Sequence, residues 1–457
     1  MKLNTMLKGI EEKLKIHYLF LIIAIPFGIY WSILLPQFQA PDEAVHIYRA
    51  YEISEGHFLS KHVDGKTGDF LPTSILEFVE TSGLGELPFN YHLKVQSEKI
   101  NAAKEIKLSN ERSFYSFPSS AIYSPLPYLP QALGMFIGRI LDLPIYYILL
   151  VSRWCNLLAY VVLSFYAIKL IPRLKRFLFI LALMPMTVHQ VSSLSADAST
   201  FGFAFLLSAY IFRLIFSSES QKIRRKDVAI LLCLTVALTL CKSAYFTYFL
   251  LVFLIPVSKF LNKKQYWVYN SLVSIANPLI LFIWMQLCKN TEMATDPVSQ
   301  LKTILLHPLS FLKKVIGTFI YDDAIYLQFF GVFGWLDTPI PYIISYLLIV
   351  FLTIAFTSEE RLESENKETY IRGTILFLFF LIQAAIVVTM LYLGFPQTNP
   401  KMVIGVQGRY FIPIFLILAF GMYVLYPLLK KRYTVYFIVV VISLAISSYF
   451  MYIRFYI

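Results

Sequence analysis

Long apolar stretches separated by short basic ones dominate this chain. A bilayer core of about 30 Å takes about 20 residues of helix, and the first such run is Tyr18–Leu35. Others follow at 145–168, 177–192, 199–216, 228–241, 244–257, 267–288, 339–357, 372–393, 410–428 and 434–453. The pattern predicts an all-α polytopic membrane protein of about eleven transmembrane helices, forming one integral-membrane domain over residues 1–457. Several runs are short, notably those meeting at Ser192–Asp197 and at Lys242, which leaves room for a cavity below the outer surface.

Two longer segments break the alternation. Residues 36–144 read as a first outer loop that ends in Tyr123-Ser-Pro-Leu-Pro-Tyr-Leu-Pro130 and an apolar run to Ile140. Three prolines and modest length suit an interfacial helix there, and a full crossing would invert every following loop. Residues 289–338 read as a second outer loop, in which Leu309–Phe330 carries Lys313, Lys314, Asp322 and Asp323 and suits an interfacial helix better than a span.

Composition sharpens this picture. Apolar residues make up 58% of the chain and charged ones 15%, against about 45–50% and about 25% in soluble domains, so a water-soluble protein is excluded. The net charge of +12 resolves by location: the segments 1–17, 169–176, 213–227, 258–266, 358–372 and 429–433 hold 22 Lys and Arg, a net of +13, and the remainder nets −1. By the positive-inside rule these six segments are cytoplasmic, which puts the N-terminus inside a multi-pass plasma-membrane protein. Nucleic acid is not an expected partner; membrane lipids are. Phe38-Gln39-Ala40 is a poor signal-peptidase site, so the first span reads as uncleaved. The cysteines at 155, 233, 241 and 288 lie in apolar runs without C-x-x-C spacing and suggest neither disulfides nor zinc.

The densest candidate chemistry is Pro41-Asp-Glu-Ala-Val-His-Ile-Tyr-Arg49, where the chain leaves the first span. On a helix Asp42 and His46 share a face, with Arg49 one turn further. A helix start is the plain explanation for Pro and two acids, but a carboxylate partly shielded from water at that point also suits a general base. Asp42, Glu43 and His46 would offer ligands to a divalent metal, although two or three ligands from one helix are few for such a site. Asp197 is the one charge of Ser192–Ser199 and is either a helix cap or functional. Lys242 stands alone between apolar halves, suited to an anionic lipid headgroup or to an ion pair with Asp197. In Gln407-Gly-Arg-Tyr410, Arg409 has the fork that fits phosphate, and Gly408 would allow close backbone approach. Arg153, early in the second span, is a third candidate phosphate ligand. No P-loop or dinucleotide fingerprint occurs.

This arrangement resembles the GT-C superfamily of integral-membrane glycosyltransferases. More narrowly, Pro41-Asp-Glu-x-x-His46 with Arg49, Ser195-Ala-Asp197, Gly334-Trp-Leu-Asp337 and Gln407-Gly-Arg-Tyr410 resemble the signatures of a bacterial membrane family of unknown function placed in that superfamily. The resemblance implies transfer of a sugar from a polyprenyl-phosphate donor such as undecaprenyl phosphate, with inversion, on the outer face of the membrane. Asp42 would be the general base, Glu43 and His46 would orient that base or the acceptor, and Arg409, Lys242 and Arg153 would hold the departing phosphate. Arg49, Asp197, Gln407 and Tyr410 would support them. Without a large C-terminal outer domain, acceptor recognition falls to residues 50–120 and 289–338, and the acceptor is open among cell-wall glycan, teichoic acid, lipid and protein. The alternatives are a polysaccharide polymerase or a lipid-linked-sugar flippase or transporter. A transporter would show paired halves or midplane charges along a pathway; neither is visible.

Overall fold

The computed structural model describes residues 14–216, 221–292, 294–357, 367–425 and 436–457. Much of the basic segments at 1–17, 358–372 and 429–433, and the four residues 217–220, therefore lie outside the described residues. What is described is helical, with two small antiparallel sheets.

Among the described residues six helices are long and apolar enough to cross a bilayer: Ile16–Leu34, Ile145–Leu170, Asp197–Phe216, Lys263–Leu287, Tyr370–Gly394 and Tyr436–Tyr456. Pro297–Leu306 and Pro308–Tyr321 make up to a seventh only as a pair, bent by 106°. The bend falls at His307, just ahead of Pro308, where proline disfavours helical geometry in its predecessor.

The other expected spans fall on shorter elements. The run 177–192 is two helices, Lys175–Ala182 and Pro185–Val191, interrupted before Pro185. Nearly every side chain there is buried in protein, a setting in which a broken helix is tolerated at membrane depth. The run 228–241 is the 17-residue helix Arg225–Cys241, and 244–257 is a 12-residue 3-10 helix, Ser243–Leu254. At about 2.0 Å per residue that 3-10 helix reaches roughly 24 Å, further than an α-helix of the same residues but short of a bilayer core. Runs 339–357 and 410–428 correspond to Tyr342–Thr357 and to Gly408–Phe411 continued by Ile412–Leu425. The apolar runs of the sequence thus outnumber the helices of spanning length among the described residues.

Residues 36–144 form a folded unit with its own apolar cluster, which includes Phe38, Ile47, Phe78, Phe117, Tyr128 and Met135. Strands β1 (Lys61–Val63), β2 (Lys66–Pro72) and β3 (Arg112–Ser116) pair antiparallel within it. Asp64 and Gly65, both at positive φ, make the two-residue turn between β1 and β2, and Asp-Gly is the sequence signal for that turn. Leu129–Ile140 runs along the second span: a Cβ on Gly134 would come within 2.4 Å of the Ser152 Cα. Its other side exposes Leu129, Leu133, Phe136 and Ile140, as an interfacial helix requires.

The last helix, Tyr436–Tyr456, packs against the first span, where Trp31 Nε1 donates to Ser448 Oγ at 2.8 Å. Its end is tied to the loop unit and to Asp337, which lies outside it. Arg454 pairs with Asp337 at 2.8 Å and donates to the Leu87 carbonyl at 2.9 Å, and the Val95 amide donates to the Phe455 carbonyl at 2.8 Å.

Candidate functional site

The site grows out of the turn that follows the first span. Phe38 and Asp42 both sit in the left-handed region, at φ 66° and 63°. Aspartate tolerates that conformation better than most residues, and Asp42 occupies the N-cap of Glu43–Ser54 without making a side-chain cap. Its carboxylate is therefore not consumed by the helix start, and it is 54% exposed.

The next residue is the opposite case. Glu43 is fully buried and accepts from Arg153 Nε at 3.0 Å and Nη2 at 2.7 and 2.8 Å, and from the Leu194 amide at 2.9 Å. The remaining Arg153 donors reach the Ser32, Leu35 and Pro36 carbonyls at 2.7–3.2 Å. With every N–H satisfied, Arg153 has none left for a phosphate, and Glu43 has no group to present to Asp42 or to a metal. Both depart from the expected roles because each is the other's buried partner across 110 residues. Among the described residues no group of three His, Cys, Asp or Glu side chains is arranged to hold a metal ion, and the Glu43 oxygens are turned to Arg153 and Leu194.

Arg49 is held inside the loop unit by its Nη atoms, while its buried Nε has no hydrogen-bond partner. It pairs with buried Glu52 and donates to the Phe58 carbonyl at 2.9 Å and the Tyr123 carbonyl at 3.2 Å. His46, by contrast, stays with Asp42. Its Nδ1 lies 2.7 Å from the Tyr128 hydroxyl. Burial pulls its pKa down to about 4, against the opposing fields of Asp42 and Asp197, and Arg409 and Lys242 add to the lowering. Burial likewise holds the Tyr128 hydroxyl well above its ordinary range. At neutral pH the pair is an uncharged hydrogen bond.

The second half of the site comes from three distant points. Lys242, where Arg225–Cys241 ends, donates to Asp197 Oδ1 at 2.9 Å and stands 4.3 Å from the Tyr410 ring centroid. This is the Asp197 ion pair that the sequence allowed. Arg409 is buried. Its Nη1 donates to Gln190 Oε1 at 2.7 Å, while Nε lies 3.6 Å from Asp197 Oδ2 and Nη2 lies 3.7 Å from Asp42 Oδ2. Nε has no hydrogen-bond partner, and neither has the buried Gln407 Oε1. The Nε–Nη2 edge of the guanidinium, a fork suited to phosphate, thus faces two carboxylates at ion-pair distance without closing a hydrogen bond to either. The Tyr410 carbonyl accepts from Tyr245 at 2.7 Å. Gly408 does permit close approach, though of protein: a Cβ there would lie 2.1 Å from the Ile325 carbonyl oxygen.

Asp42, His46, Asp197, Lys242, Arg409 and Tyr410 therefore come together, and Glu43, Arg153 and Arg49 do not join them. Gln190, His189 and Tyr128 are additions. The adjacent polar pair His189-Gln190 closing an otherwise apolar run was the available signal for two of them.

Helices of spanning length, a folded loop unit and polar groups concentrated where that unit meets the bundle define a multi-pass helical membrane protein. The chain belongs to the DUF2142 family of predicted membrane proteins, whose family model matches residues 25–418. Neither a curated protein nor a solved structure matched the chain.

Two outcomes test this geometry. Replacing Arg153 by Met leaves the Glu43 charge buried and should cost about 3–5 kcal/mol of stability, read as a lower unfolding midpoint in detergent; a midpoint equal to wild type would mean the pair is not buried. For His46 the unfolded chain binds a proton below about 6.5 that the folded site refuses until about 4. The stability it contributes is whole above pH 6.5 and is lost as pH falls toward 4. His46→Gln should flatten that part of the acid limb, whereas an unchanged limb would refute the neutral assignment.

Proposed function

We propose that this protein is a glycosyltransferase of the GT-C type, moving a sugar from an undecaprenyl-phosphate-class donor to a cell-envelope acceptor on the outer face of the plasma membrane. The proposal includes about eleven crossings and a cytoplasmic N-terminus, with the shorter apolar elements counted as crossings. The concentration of 22 basic residues in six short segments supports that layout.

The observation that carries the reading is the juxtaposition of an exposed, uncapped Asp42 carboxylate with the partly unpaired guanidinium of Arg409, 3.7 Å away. A transferase of this kind needs a base on the acceptor side and cations at the leaving group. In the proposed reaction Asp42 takes the proton from the acceptor hydroxyl. The acceptor oxygen bonds to the anomeric carbon from the side opposite the phosphate, and the bond from that carbon to the phosphate oxygen breaks. The electron pair leaves with the polyprenyl phosphate, whose charge Arg409 and Lys242 stabilise. Engaging the donor draws Arg409 onto phosphate, which leaves Asp42 free to act as base. Asp197 holds Lys242, and the neutral His46–Tyr128 pair lines the acceptor side without competing for the proton.

Asp42→Asn should preserve expression and folding while lowering surface sugar modification by at least about a hundredfold, the scale of a general base; wild-type modification would refute the base assignment. Arg409→Gln should weaken donor use by roughly tenfold to a hundredfold, the worth of a charged hydrogen bond, and raising the cellular donor level should partly restore it. A donor response identical to wild type would refute the phosphate role.

A further inference from the structure

Gln190 is fully buried near the end of the short helix Pro185–Val191. A guanidinium only donates hydrogen bonds, so the Gln190 atom 2.7 Å from Arg409 Nη1 is its oxygen and the orientation of the amide is set. The amide nitrogen then faces His189 Nδ1 at 3.1 Å and Met186 Sδ at 3.6 Å. His189 stacks on Phe333, ring centroids 5.1 Å apart, and its other ring nitrogen lies 3.3 Å from the Gly334 amide. Gly334 and Leu336 both have positive φ, and the turn they shape is fastened at both ends. Trp335 Nε1 donates to the Phe38 carbonyl at 2.9 Å, and Asp337 pairs with Arg454. A continuous run of buried contacts thus leads from the 334–337 turn through His189 and Gln190 to Arg409.

We infer that Gln190 is a positioning residue that tethers Arg409 by Nη1 and so keeps its Nε–Nη2 edge open for the donor phosphate. The inference rests on the glycosyltransferase reading and deepens it. Without a tether, a guanidinium 3.6 and 3.7 Å from two carboxylates closes on them, saturating its fork and covering the Asp42 base. The tether holds it short of that closure, so less ordering is left to be done when phosphate arrives.

The test compares undecaprenyl phosphate with undecaprenol as ligands of the purified full-length chain in nanodiscs. Wild type should prefer the phosphate. Gln190→Leu should reduce that preference about tenfold, the scale of one hydrogen bond to a charged group, and leave undecaprenol affinity unchanged. A purely structural role would lower the unfolding midpoint and affect both ligands alike. Gln190→Leu with the wild-type preference overturns the inference while leaving the function standing. A wild type that does not distinguish the two lipids overturns the proposed function and the tether with it. If Gln190→Leu does not accumulate, His189→Phe, which keeps a ring against Phe333, reads the same ratio: a diminished preference supports the tether and an unchanged one overturns it.

Discussion

The buried pair of Glu43 and Arg153 is the interaction on which the rest of the site depends. Removing a carboxylate and a guanidinium from water costs several kcal/mol per ion, and attraction offsets this only when the remaining donors and acceptors are also satisfied. Here the Arg153 donors all have partners, and Glu43 additionally accepts the Leu194 amide. The pair joins the exit of the first span, the start of the motif helix, the second span and the turn before Asp197. Asp42 is one residue away, held in a left-handed conformation at the edge of that knot, and Asp197 is three residues beyond Leu194. Fixing one buried pair thereby brings two acidic positions from distant parts of the chain into one neighbourhood.

The charges gathered there are unequally matched. Asp197 has a direct hydrogen bond from Lys242, whereas Asp42 and Arg409 face each other at 3.7 Å. An ion pair left slightly apart retains capacity that a closed one has lost, since carboxylate and guanidinium can each take another partner. On the proposed reading those partners are the acceptor hydroxyl and the donor phosphate. The uncharged His46–Tyr128 pair adds shape without another net charge.

Much of the site was legible because polar residues are scarce in this chain. Asp42, His46, Asp197, Lys242 and Arg409 stand out against apolar neighbours, and the structure collects them. Glu43 and Arg153 stood out equally, but their commitment to one another depends on a contact across 110 residues that no local pattern encodes. Helical spacing placed Arg49 on the face of Asp42 and His46, yet the Glu52, Phe58 and Tyr123 contacts draw it into the loop unit. The number of spans was less legible, because hydropathy responds in the same way to an apolar helix in lipid and to one packed inside protein. Pro185 and the 3-10 geometry of Ser243–Leu254 are two places where an apolar run and a helix of spanning length part company. The small sheet went unread although Asp64-Gly65 announces its first turn.

The central claim is that this centre transfers a lipid-carried sugar on the outer side of the membrane. Structural analysis of surface glycans from a deletion strain, beside the same strain complemented with the wild-type chain, tests it most directly. The account predicts that one sugar substituent disappears on deletion and returns on complementation. Unchanged glycans, with a lipid-linked precursor accumulating on the cytoplasmic side instead, would contradict it.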